Sequence, residues 1–158
     1  MAQRDRDETG RPRNSRPRDA LGRPLPPGSE GVDRIPDDLH LPPAGSLTYA
    51  QQLVDAGRAF HAHEVLEAAW KDGPDDERPL WQGLAQLMVG ITHIQRGNPG
   101  GARALLRRAA TRLAEAPLRH GVDVNGLIDY AAGLEGDLDA GREIPADRLR
   151  PALVAPAD

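Results

Sequence analysis

The run Phe60-His61-Ala62-His63-Glu64-Val65-Leu66-Glu67-Ala68-Ala69-Trp70 places two imidazoles and two carboxylates within a few residues of each other. At about 100° per residue, Phe60, His63, Glu67 and Trp70 fall on one helical stripe, with Glu64 at its edge and His61 turned the other way. The stripe is expected to face the core, which would bury His63 and Glu67. Downstream, Gln82, Gln86 and His93 share one side of a second helical run, opposite Leu84, Leu87, Met88, Ile91 and Ile94. Gly83 and Gly90 lie on that polar side, and Gly97 follows at the same spacing. An interior glycine costs a helix about 1 kcal/mol relative to alanine, so Gly83 and Gly90 predict close approach of another helix. The expected neighbour is the helix of His63, which would set His63 and Glu67 against Gln86 and His93, with Phe60, Trp70 and Trp81 as walls. Gly90→Leu would then cost more than about 2 kcal/mol by overpacking the seam.

Three readings of this constellation stand. The first is a structural hydrogen-bond network, since buried polar groups must be paired. The second is a metal centre of His63, Glu67 and His93, with Glu64 or Gln86 as a fourth ligand and a divalent transition metal as cofactor, supporting hydrolysis by a bound water. It lacks the Glu-x-x-His pairs of di-iron bundles. The third is a small-ligand pocket, or acid–base chemistry by Glu67 and His63 as a coupled pair. Binding of a small ligand, or a structural role, leads. The hydrolase is the alternative, and whether the domain is an enzyme stays open.

The elements that must position these residues are helices. Residues 46–141 read as a domain of five, with no alternating β-branched run to compete. Ser46 is the expected N-cap of the first, which ends at Gly57. The second runs from Arg58 to Asp72 and stops at Gly73-Pro74. Asp75 or Asp76 caps a third reaching Arg96, Asn98 a fourth with Pro99 at its first position, and Asp123 a fifth that stops at Gly141. The fold class is all-α: a compact bundle of about five helices with a proline-rich N-terminal arm.

Residues 1–45 hold eight of the 15 prolines and no apolar periodicity, so they read as an arm, disordered or docked in extended form. Arg-Pro-Arg occurs there at 11–13 and 16–18, and Leu21 and Leu25 could anchor it. Residues 142–158 read as an irregular surface tail. With no cysteine, disulfides and thiolate metal sites are excluded. No signal peptide and no membrane-length apolar run is evident, so a cytoplasmic protein without a membrane partner is expected. The formal charge of −4 makes nucleic acid an unlikely partner, although Arg103, Arg107, Arg108 and Arg112 line one side of the fourth helix. An interaction module built from the arm and that arginine face is a further alternative, and a homo-oligomer stays open.

The motif blocks carry a resemblance. Ala62-His63-Glu64 with Glu67 and Trp70, then Gln82-Gly83-Leu84 with Gln86, then Gly97-Asn98 with Gly101-Ala102, resemble the bacterial family DUF309, a domain of unknown function. The similarity covers roughly Leu53 to Leu113. It implies a compact helical domain of bacterial or archaeal type and no activity. His63, Glu64, Glu67, Trp70, Gln82, Gly83, Gln86, His93, Gly97, Asn98 and Ala102 match its hallmark positions. Ala85 stands where a larger aliphatic is common.

Overall fold

Proline and glycine punctuate the chain into five α-helices in a computed structural model that describes residues 16–36 and 38–156. They are α1 (Pro43–Asp55), α2 (Ala59–Asp72), α3 (Arg78–Gln95), α4 (Pro99–Ala114) and α5 (Val124–Asp139), with 3-10 turns at Asp75–Glu77 and Ala146–Leu149. The described residues hold two isolated β-bridges and no strand. Among the described residues no helix is long and apolar enough to cross a membrane. The Arg-Pro-Arg at 11–13 lies outside the described residues.

Successive helices pack as neighbours, and α3 sits between α2 and α4. Its sequence explains the central place: Leu80, Trp81, Leu84, Leu87, Met88 and Ile91 are all buried. Asn98 Oδ1 accepts from Gly101 N at 3.2 Å and Asp123 Oδ1 from Gly126 N at 3.2 Å, so both caps serve the helices assigned to them.

Several expectations need correction. Ser46 is not a cap. The helix begins at Pro43, because proline tolerates the first position, and Ser46 is buried inside it. The Asp75–Asp76 segment forms a 3-10 turn before α3 rather than capping it directly. The tail is not wholly at the surface. Leu149 and Leu153 enter the core, and Gln51 fixes the tail by accepting from Leu153 N (2.8 Å) and donating to Pro151 O (3.0 Å).

The largest correction concerns the glycine seam. A Cβ at Gly83 would lie 2.9 Å from Leu113 Cδ2, and one at Gly90 3.1 Å from Leu106 Cδ2. Both leucines belong to α4, so the close approach predicted for α2 is made by α4. The buried face of α2 is Ala59, Ala62, Val65 and Leu66, with His61 only 2 % exposed. The stripe of Phe60, His63, Glu67 and Trp70 is half-buried at the rim. Alanines and β-branched Val65 pack more closely than the larger stripe residues could, so they take the interior.

Residues 16–36 fold back on the domain. Asp19 Oδ1 accepts from Leu21 N (3.0 Å) and Arg23 N (2.9 Å), closing a turn at Gly22, whose φ is +78°. A Cβ there would overlap the Phe60 ring, so the turn needs glycine both for its backbone and for the contact. Arg96 Nε donates to Leu21 O at 3.0 Å, Arg58 Nη2 donates to Asp33 O at 2.6 Å, and Ile35 joins the core.

Candidate functional site

His63, Glu67 and Trp70 of α2, Gln82, Ala85, Gln86 and Val89 of α3, and Leu105 of α4 line a cleft of about 170 Å³. The two-helix seam expected to hold the polar cluster is thus a three-helix cleft open to the surface.

His63 has a neighbour at each nitrogen. Nδ1 lies 2.6 Å from Phe60 O, which can only accept, so Nδ1 carries a proton. Nε2 lies 3.5 Å from Glu67 Oε1, one helical turn on. Burial pulls the His63 pKa down, but the Glu67 carboxylate and the Phe60 carbonyl outweigh it, and the net shift is upward. Glu67 moves the other way, lowered chiefly by its hydrogen bond from His63. The pair therefore favours imidazolium and carboxylate. At 3.5 Å the contact is loose, and Glu67 is 44 % exposed, leaving acceptor capacity on the carboxylate.

Gln86 supplies a second acceptor. Its Oε1 is enclosed and has no hydrogen-bond partner. Such a group costs about 1–3 kcal/mol until a donor reaches it. The apolar side of the cleft comes from Trp70, Ala85, Val89 and Leu105.

The other expected site residues are dispersed. His93 does not join His63: its Nδ1 accepts from Asn98 Nδ2 at 3.0 Å, at the C-terminal end of α3. Among the described residues no group of three or more His, Asp or Glu has metal-holding geometry, so His63, Glu67 and His93 are not assembled as a metal centre. Glu64 faces a separate hollow of about 160 Å³, beside Ile35, Leu39, His40 and Lys71, and burial raises its pKa. Glu67 borders both hollows. Phe60 lies with its ring 5.0 Å from that of His63, and the guanidinium carbons of Arg18 and Arg96 stand 5.1 Å and 5.5 Å from its centroid. Trp81 is 1 % exposed and lies outside the cleft lining.

Two ionisable clusters were not anticipated. His61, expected to point outward, is buried near the arm, and burial, aided by Arg58 and Arg18, lowers its pKa to about 4. Glu77, 8 % exposed, accepts from Trp81 Nε1 at 3.2 Å and from His120 Nε2 at 2.8 Å through the same oxygen. The spacing of Glu77 and Trp81, one turn apart, is a signal the sequence offers. His120, 43 residues beyond Glu77, gives none.

Against known proteins, residues 47–105 match the family described as Domain of unknown function (DUF309). The chain is 35 % identical over 94 residues to the Uncharacterized protein YpuF of Bacillus subtilis (strain 168), covering 59 % of this chain and 52 % of that protein. It thus spans about half the length of this curated relative. No solved structure matches.

Proposed function

We propose that this chain, whose residues 47–105 belong to the DUF309 family, is a small-molecule-binding module with its site in the cleft between α2, α3 and α4. The observation that carries the reading is the unpartnered, enclosed Oε1 of Gln86, a residue that lines the same cleft as Glu67, whose carboxylate has spare acceptor capacity. A purely structural network would satisfy its own members. This one leaves acceptors for something else to fill. The ligand therefore brings N–H or O–H donors, directed at Gln86 and Glu67, and an apolar face that lies against Trp70, Val89 and Leu105. His63 holds Glu67 ionised and so keeps it an acceptor. The metal-assisted reading gains no such support, because His93 is engaged by Asn98.

Adenosine, a neutral probe with a flat purine face and several donors, tests this by NMR titration of the full chain. Resonances of the Trp70 indole and the Gln86 side-chain amide are expected to shift saturably. Gln86→Leu, at a half-buried position, should weaken the Trp70 response at least fivefold while the protein stays folded. Cleft resonances that stay still, or a Trp70 response equally strong in Gln86→Leu, would sink the reading.

A further inference from the structure

Gln86 borders two cavities. Beyond the cleft it also lines a groove of about 660 Å³ along α4, with Ala104, Arg107, Arg108, Thr111, Arg112 and, as its one carboxylate, Glu115. That volume lies inside the roughly 300–1,000 Å³ range of small-molecule sites. The three arginines differ in how their charge is met. Arg107 donates through Nε to Glu135 Oε1 at 3.0 Å, which ties it to α5. Arg112 has only Glu115 at 3.8 Å, at the limit of an ion pair. Among the described residues Arg108 has no carboxylate partner. Arg108 and Arg112 stand one turn apart, where like charges repel and disfavour the helix. A bound anion would reverse that sign, and guanidinium forks suit a phosphate, offering paired N–H donors to its several oxygens.

We infer that the ligand of this module is a small organic phosphate, its phosphate held by Arg108 and Arg112 and its donor-bearing end lying past Gln86 in the cleft. The inference rests on the proposed small-molecule function and names the ligand class. Gln86 is the joint between the two parts: it lines both cavities, and its unpaired oxygen, closed to solvent as the side chain stands, accepts from a ligand hydroxyl or amino group once the half-buried amide turns toward it. Phosphates of RNA would meet the same guanidinium groups, but a chain of formal charge −4 lacks the basic excess that nucleic-acid binding draws on.

The test compares adenosine monophosphate, adenosine and a single-stranded RNA 12-mer by calorimetry and NMR on the full chain. Adenosine monophosphate is expected to bind at least tenfold more tightly than adenosine and to shift both the Arg108 Nε–H and the Gln86 amide. Arg108→Gln and Arg112→Gln should remove that advantage and leave the adenosine response intact. Arg103→Gln removes the same charge from α4 but outside the groove, where Arg103 pairs with Asp139 at 3.3 Å, and should change nothing. Equal binding of adenosine and its monophosphate would overturn the inference. So would equal weakening by Arg103→Gln, which would mark diffuse charge. Tighter binding of the 12-mer per phosphate would assign the groove to nucleic acid and overturn it as well. If the small-molecule reading itself fails, adenosine moves no cleft resonance, whereas failure of this inference alone leaves that response in place and abolishes the arginine effect.

Discussion

Two adjacent flanks of α3 are built to different rules. On one, Gly83 and Gly90 admit the leucines of α4, and Leu106 and Leu113 are fully buried. On the other, Gln82, Gln86 and Val89 look onto a cleft that α2 leaves partly open. The tight flank is apolar and closed, while the loose one keeps its polar groups half-exposed with an acceptor unfilled. Interior glycine therefore announces that a neighbour comes close without saying which one. The helix that carries the chemistry, α2, is thus not the one the glycines admit: they meet α4, and the polar residues beside them on the same side of α3 border the cleft.

The strongest way to break that contrast is to fill the glycine flank. Gly83→Leu is expected to cost about 3 kcal/mol in urea denaturation, net of the helix propensity it gains. Its Cβ would stand 2.9 Å from Leu113 and 3.2 Å from the Leu113 backbone nitrogen, which cannot move aside alone. Gly90→Leu should cost about 2 kcal/mol, since its contacts with Leu106 begin at 3.1 Å and the backbone nitrogen is 3.5 Å away. The reverse order, or a neutral Gly83→Leu, would mean that α4 is not held close at that end. Gln82→Ala on the loose flank should change stability by no more than about 0.5 kcal/mol.

The two acid–imidazole pairs sharpen the same contrast. Glu77 is buried, and its carboxylate accepts from both Trp81 and His120. Glu77→Ala would strand the indole N–H in the core and is expected to cost about 2–3 kcal/mol. Glu67 is 44 % exposed and holds His63 at 3.5 Å, so Glu67→Ala should cost less than about 1 kcal/mol. Equal costs would erase the distinction between a clasp that holds the fold and a pair kept for a ligand.

Much of this was legible in the residues, and what was not has identifiable causes. Helical periodicity, Gly-Pro punctuation and the caps at Asn98 and Asp123 place α2, α4 and α5 to within a residue or so, because those signals are local. The glycine contact was legible in principle. The turn at Gly97-Asn98 makes α3 and α4 an antiparallel hairpin, and Gly83 with Leu113 and Gly90 with Leu106 are both centred on residue 98. Register about a short loop, rather than the chemistry of the facing stripe, identifies the neighbour. His61 escaped because the buried face of α2 is the one carrying Ala62, Val65 and Leu66, not the aromatic stripe, and the nearby arm residues Arg18 and Asp19 carry no periodicity that would place them there. His93 escaped because Asn98 serves twice, as the cap of α4 and as donor to the imidazole.

The smallest expected effect lies in pH dependence. In the folded chain the Glu77 pKa is below its ordinary 4.5: burial opposes this, but the hydrogen bonds from His120 and Trp81 prevail. A lowered acid stabilises the fold above its unfolded value and loses that contribution as pH falls through the folded one. The difference between wild type and Glu77→Gln should thus shrink as pH falls below about 4.5. Glu67, also lowered, gives its pair the same acid limb, but His63 adds another. Its pKa is raised above 6.5, so its contribution is complete below that value and disappears as pH rises through the folded one. The difference between wild type and Glu67→Gln should therefore decline by a few tenths of a kcal/mol between about pH 6.5 and 8.5. A flat Glu67→Gln difference across that interval would show that His63 carries no proton for Glu67 to hold. The carboxylate would then lose the partner that keeps it ionised for a ligand.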